Sequence, residues 1–152
     1  MADFEEVADR MDDHLREVAD LIESDAGPQI CEVMRAYAVR KITQQHAVDT
    51  GALRNSVSTA QDMIVRNGEL SVTMGIECTS DYGLFIEYGT GPNGDPAIPH
   101  TSKEKWVYMD TKGRFKTAHS QHPRPFMRPA LYDNVNLYKR IIAKEIVEVF
   151  SE

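Results

Sequence analysis

Asn67-Gly68 is the feature that most constrains this chain. Asn-Gly is the preferred two-residue turn of a β-hairpin, because both positions take a positive φ. After it, Leu70, Val72, Met74, Ile76 and Cys78 alternate with Glu69, Ser71, Thr73, Gly75 and Glu77. A period of two buries one face of a strand and leaves the other to solvent. A two-residue loop sets Val65 opposite Leu70, Met63 opposite Val72 and Val57 opposite Cys78. Turn and pattern therefore agree on the register of residues 56–78.

The rest of the periodicity is mostly helical. Phe4, Val7, Met11, Leu15, Val18 and Ile22 recur at steps of three and four with acids between them, which predicts an amphipathic helix over 3–24. Ala26-Gly27-Pro28 predicts its interruption, since glycine ends helices and proline starts them. A second helix follows from about Pro28 to Gln45, with Ile30, Val33, Met34, Tyr37 and Ile42 inward. Residues 89–100 are rich in Gly, Pro and Asn and read as an irregular loop. A shorter hairpin comes next, Lys105–Met109 and Arg114–Thr117 around a turn at Asp110–Gly113. The last element is a helix from about Arg128 to Phe150, with Leu131, Val135, Tyr138, Ile142, Ile146 and Val149 along one face. Helices and strands are segregated, which predicts an α+β fold: a small twisted antiparallel sheet of two hairpins packed against two N-terminal helices and a C-terminal helix.

A chain of 152 residues buries roughly 70% of its unfolded surface and needs no disulfide framework. No run approaches the ~18 apolar residues of a membrane span, and no basic-then-apolar start reads as a signal peptide. The two cysteines, Cys31 and Cys78, fit a reducing compartment and read as small buried hydrophobes. The formal charge of -7 argues against a whole-protein nucleic-acid coat, but it is unevenly spread. Residues 1–25 carry ten acids against Arg10 and Arg16, a net of -8, whereas the other 127 residues net +1. Segment 101–128 nets +5, from Lys103, Lys105, Lys112, Arg114, Lys116, Arg124 and Arg128 against Glu104 and Asp110. This divides the chain into an acidic helical arm, 1–25, and a single domain, 26–152, with a basic loop region. Blocks of like charge ordinarily solvate a face, but opposite patches can also meet across neighbouring subunits.

Matches to catalytic motifs lack the surroundings their chemistry needs. Asp49-Thr50-Gly51-Ala52 spells the aspartic-protease signature, but that chemistry requires a buried apolar strand leading to the motif and a second aspartate sharing a proton. Polar Gln44-Gln45-His46 precedes it and Arg54-Asn55-Ser56 follows. Asp49 or Thr50 reads better as a cap, with Gly51 supplying backbone freedom. Gly89-Thr90-Gly91 to Gly94 has dinucleotide-loop spacing, but Pro92, Pro96 and Pro99 forbid the helix whose N-terminus would hold a pyrophosphate. It also fails as a P-loop, because Asp95 stands where lysine should neutralise phosphate. His100, His119 and His122 are enough to hold a zinc ion, but they sit in proline-flanked loop with no carboxylate at a recognised spacing. No serine occupies a nucleophile elbow. The reading is of a protein without catalytic activity, cofactor or metal.

Three segments carry a resemblance: Val48–Ser56 (VDTGALRNS), Tyr82–Gly91 (YGLFIEYGTG) and His122–Leu131 (HPRPFMRPAL). In this order, with a Trp-containing hairpin before the third, the chain over residues 30–150 resembles the minor tail or tail-completion proteins of long-tailed bacteriophages, also called head–tail joining or neck proteins. The family often has proline before the Val-x-Thr-Gly segment, where this chain has Ala47. The family motifs do not reach the acidic arm.

The resemblance implies a structural virion protein that assembles as a ring, commonly a hexamer, at the head–tail junction after a stay in the host cytoplasm. Its neighbours would be the head-connector or adaptor ring and a tail-terminator or tail-tube protein, with packaged DNA passing through the lumen and no membrane involved. The motif residues then read as fold keepers. Thr50 and Gly51 turn the chain into the sheet, Leu53 anchors that turn, and Arg54 pairs with a carboxylate, Glu87 first. Tyr82, Phe85 and Tyr88 pack a short helix onto the sheet before Gly89 and Thr90. Pro123, Pro125 and Pro129 stiffen the approach to the last helix, beneath which Phe126 inserts, and Arg124 is a further residue of that motif. Lys103, Lys105, Lys112, Arg114 and Lys116 are candidates to face a neighbouring subunit or the DNA. A ring needs two complementary patches per subunit, and the acidic arm and the basic region are candidates for them. The alternatives are a tail-terminator subunit, or a small nucleic-acid-binding accessory protein that uses the basic loops with Trp106, Tyr108 and Phe115 as stacking groups.

Overall fold

The acids of the first turn and the cap at Asp3, whose carboxylate accepts from the Phe4 N–H at 2.7 Å, start helix α1, Phe4–Leu21. The computed structural model describes residues 3–47, 51–66 and 69–151. The expected interruption at Ala26-Gly27-Pro28 does not occur. A π-helical turn, Ile22–Ala26, carries α1 into α2, Gly27–Gln44, and both Ile22 and Gly27 have right-handed helical dihedrals. The Gly27 N–H donates to the Ile22 carbonyl, one residue beyond the α-helical partner. That wider turn falls immediately ahead of Pro28, which has no N–H to donate to the ladder. A Schellman turn closes α2: the Ala47 N–H donates to the Ile42 carbonyl at 3.1 Å, and His46 takes a φ of 50°.

The strands form two separate two-stranded sheets, and the α+β class holds. After the short helix α3, Ala52–Asn55, strands β1, Val57–Arg66, and β2, Glu69–Cys78, leave two residues between them. The Thr79 N–H donates to the Ser56 carbonyl at 3.0 Å and the Ser58 hydroxyl donates to Glu77 at 3.1 Å, both in the register expected of a two-residue loop. The Asn67-Gly68 turn itself, the side chains of Val65 and Leu70, and the Val48-Asp49-Thr50 segment lie outside the described residues. Helix α4, Gly83–Tyr88, precedes a 3-10 turn at Gly91–Asn93. The second hairpin pairs β3, Lys105–Met109, with β4, Phe115–His119.

The expected single C-terminal helix is two, α5, Met127–Tyr132, and α6, Val135–Phe150. The break falls at Asp133-Asn134, residue types whose side chains compete with helical hydrogen bonding. The Ala130 carbonyl, which a continuous helix would pair with the residue 134 N–H, accepts instead from Tyr138 Oη at 2.6 Å and Asn134 Nδ2 at 3.4 Å. Tyr37 Oη donates to Asp133 at 2.5 Å. Burial pushes the Tyr138 hydroxyl pKa up.

The chain divides into two compact units. The first comprises residues 1–37, 58–77 and 130–152. Its core is Val18, Ala19, Ala26, Ile30, Cys31, Met34, Ala130, Tyr138 and Val149. Here α1 lies against α6, with the His14 and Phe150 rings edge to face at 5.2 Å, and Gln61 donates to the Glu23 carbonyl of the π turn at 2.6 Å. Only the C-terminal end of the α1 stripe is covered. Val18 is buried, whereas Phe4 is 91%, Val7 45%, Met11 56% and Leu15 49% exposed. On α6 the buried positions are Tyr138, Glu145 and Val149, which leaves Leu131, Val135 and Ile146 at the exposed margin of the predicted face.

The second unit comprises residues 38–57 and 78–129, around Ala38, Ile42, Ala47, Leu53, Val57, Ile86 and Phe126. Its β3–β4 hairpin carries apolar side chains on both faces. Cross-strand pairing puts Trp106 with Ala118 and Tyr108 with Lys116 on one face. Exposed Val107, Met109 and Phe115 lie on the other.

Candidate assembly site

The second unit is tied together by one carboxylate. Helix α4 turns Glu87 inward beside Ile86, and the Glu87 side chain is buried. Its Oε2 accepts from the Phe126 N–H at 2.7 Å and the Met127 N–H at 2.9 Å, and its Oε1 accepts from the Arg128 N–H at 3.1 Å and Arg128 Nε at 2.9 Å. Glu87 thus satisfies the N–H groups that open α5 and supplies the negative charge favoured there. The Arg128 guanidinium goes on to Asp95 at 2.9 Å and the Glu87 carbonyl at 3.1 Å, and lies 4.5 Å from the centre of the Tyr88 ring. The Asp95 carboxyl is held below its ordinary pKa by the Ala97 N–H it accepts and by Arg128. Glu87 in turn raises the Arg128 pKa.

This knot fixes two loops against α4. Arg124 N–H donates to the Ile86 carbonyl at 2.8 Å, and Thr90 and Gln121 exchange backbone hydrogen bonds at 2.9 and 3.1 Å. Gly89 makes the approach possible. Its φ is 71°, and a Cβ there would stand 2.5 Å from the Gln121 carbonyl oxygen. Between α4, the 95–101 loop and β3 opens a cleft of about 1130 Å³. Tyr82, Phe85 and Tyr88 line it from α4 and its N-cap, Ile98 and His100 from the loop, and Trp106 and Tyr108 from β3.

The motif residues fall on both sides of this arrangement. Gly51 caps α3 with a φ of 78°, Leu53 is buried behind it, and Thr50 lies outside the described residues. Arg54 is exposed and is not the partner of Glu87; Arg128 is, because the Glu87 carboxylate sits at the backbone of 126–128. Tyr82 and Phe85 do not pack α4 onto a sheet but stand exposed along the cleft, since the inward face of so short a helix is taken by Ile86 and Glu87. Phe126 is fully buried, as expected of an anchor. Arg124 Nη2 donates to Gln121 at 3.2 Å, the Pro125 carbonyl accepts from Gln45 at 3.2 Å, and Pro129 sits in the first turn of α5.

The basic region is less basic than its count. Arg128 is neutralised by Glu87 and Asp95, and Arg114 pairs with Asp110 at 3.0 Å. The Arg114 N–H and then the Lys112 N–H hold the Asp110 carboxyl below its ordinary pKa. Lys103, Lys105, Lys112 and Lys116 are exposed and make no ion pair among the described residues. Cys31 and Cys78 are free thiols, and among the described residues no three His, Cys, Asp or Glu side chains are grouped to hold a metal ion. No helix among the described residues is long and apolar enough to cross a membrane.

Reasoning from sequence missed Arg128, Asp95 and Ile98 as parts of one arrangement. The available signal was Asp95 itself, an acid in a Gly-Pro loop, and Arg128, a cation inside the third motif. No protein-family model, curated protein or solved structure matches this chain.

Proposed function

We propose that this chain is a structural subunit of a tailed-phage particle, a tail-completion or head–tail joining protein that assembles as a ring around the DNA path. Its motifs support the reading, and one structural observation carries it: α1 presents an apolar stripe, Phe4 to Leu15, that stays exposed in the single chain. An apolar stripe of that kind on an acidic helix is the surface of a subunit that buries it against another copy. The two-stranded β3–β4 hairpin, apolar on both faces, is a second surface of the same kind, because two strands alone are marginal in water. Electron microscopy of particles carrying a tagged chain is expected to place the tag in a closed ring at the neck. Full infectivity of particles assembled without the protein overturns the reading.

A second reading, a nucleic-acid-binding accessory protein, is favoured by one pair: exposed Tyr108 stands opposite Lys116, which makes no ion pair among the described residues, a stacking group beside a cation. Filter binding with random DNA tests it, and absence of binding at low salt removes it.

A further inference from the structure

We propose that the aromatic cleft between α4 and β3 is the receptor for helix α1 of a second copy of this chain. The proposal rests on the ring-subunit reading and names the two surfaces that meet.

The two surfaces match in kind. On α1 the exposed apolar residues Phe4, Val7, Met11 and Leu15 are spaced three, four and four apart, the anchor pattern of a helix laid into an apolar groove. They run along about 16 Å of helix at 1.5 Å per residue. The cleft, about 1130 Å³, exceeds what a small ligand ordinarily fills and is lined by Tyr82, Phe85, Ile98, Trp106 and Tyr108. Asp95, the acid among the lining residues, already has Arg128 as its partner, so no uncompensated charge opposes an apolar occupant.

Charge complements the apolar match. Exposed Glu5 and Asp12 border one side of the α1 stripe, and exposed Glu6, Asp9 and Asp13 lie on the far face of the same helix. Lys116 shares the hairpin face of Tyr108, Lys103 stands two residues beyond the loop that lines the cleft, and both lack an ion-pair partner among the described residues. The acidic helix and the basic margins of the cleft attract each other, which speeds encounter and weakens with salt. Each copy offers one helix and one cleft, so the contact is head-to-tail and propagates until the rotation closes a ring.

Sedimentation of the full chain and two variants tests the proposal. Phe4→Asp/Met11→Asp spoils the helix, and Phe85→Asp/Tyr108→Asp spoils the cleft. All four side chains are exposed, so circular dichroism and the urea midpoint are expected to stay at the wild-type values. The unaltered chain is expected to associate, less so as salt is raised, and each variant alone to associate at least about thirtyfold more weakly. Mixed, the two variants are expected to form a one-to-one dimer and nothing larger, because only one intact helix and one intact cleft remain between them. If the helix variant assembles like the unaltered chain, the proposal is overturned while the ring reading stands on other surfaces. If the unaltered chain is monomeric at every concentration and the mixture forms no dimer, the proposal is likewise overturned, and the map of the neck then decides the ring reading by itself.

Discussion

Replacing Glu87 separates two accounts of what holds the second unit together. Glu87→Ala leaves the Phe126 N–H buried with no acceptor and strips the Met127 and Arg128 N–H groups of theirs. The last two are half-buried, where water can reach them, so we count one full penalty for an orphaned donor, about 2 kcal/mol. Losing the charge-assisted bonds from Arg128 adds about 1.5–3 kcal/mol. The sum, about 4 kcal/mol, agrees with the range for breaking a buried ion pair by removing one partner. With a urea slope of about 2 kcal/mol per molar, the midpoint falls by about 2 M. Trp106 is the single tryptophan and lies in this unit, so its fluorescence follows the relevant transition.

The order within the series is the sharper measurement. Arg128→Ala removes the cation but leaves all three backbone donors on the carboxylate, and the guanidinium it deletes is part-exposed, so it costs about 1–2 kcal/mol. Glu87→Gln keeps one acceptor oxygen and turns an NH2 group toward backbone donors, which places it between the two. Arg54→Ala, at an exposed position, costs no more than about 0.5 kcal/mol. An Arg128→Ala loss equal to that of Glu87→Ala shows that the ion pair, not the helix cap, dominates. A Glu87→Ala midpoint close to that of Arg54→Ala refutes the knot altogether.

Three further outcomes follow from the same geometry. Gly89→Ala combines a positive φ with an extended ψ of -174° and a 2.5 Å collision with backbone, so it costs at least about 3 kcal/mol in urea melts, and an unchanged midpoint refutes the close approach of Gln121. Phe126→Ala empties a fully buried site and costs about 3–5 kcal/mol by the same melts, with a value under about 1 kcal/mol showing that the side chain is not in the core. Asp95 holds its proton less tightly folded than unfolded, so its contribution is complete above about pH 4 and is lost as pH falls through the lower folded value. Stability against pH for Asp95→Asn should therefore converge on the wild type at the acid end, and a constant gap between the two curves down to about pH 2 rules out the linkage.

What the sequence revealed depended on range. The 56–78 hairpin was legible because strand alternation and the Asn-Gly turn are local, and two cross-strand hydrogen bonds stand in the register they imply. Burial of Ile30, Met34 and Ile42 on α2 was legible for the same reason. Gly27-Pro28 does not end the helix here, because a π turn moves the hydrogen-bond register by one residue ahead of the proline and carries the chain through it, which local residue type does not reveal. The break at Asp133-Asn134 was written in its residue types, but the apolar period continued across it and outweighed them. The partner of Glu87 was not legible at all. Arg54 and Arg128 are both arginines inside a motif, and only the closeness of the 126–128 backbone N–H groups to the carboxylate selects between them.

The same limit governs the aromatic residues and gives them their meaning. A periodic pattern states that a side chain prefers to leave water; it does not state against what. On α1 the pattern is satisfied inside the chain at Val18 and unsatisfied from Phe4 to Leu15. On α4 the inward positions go to Gly83, Ile86 and Glu87, so the aromatics beside them are left along an open cleft. Both surpluses lie next to elements with strong reasons for their own conformation, a capped acidic helix and a carboxylate-tied loop cage. A chain that spends buried hydrogen bonds on holding exposed aromatics in a fixed cleft loses solubility and gains nothing unless something fills it. Apolar surface left over on an acidic helix and in a cleft with basic margins is what a head-to-tail assembly requires of each subunit, and it is a property that residues in a monomer's core cannot report.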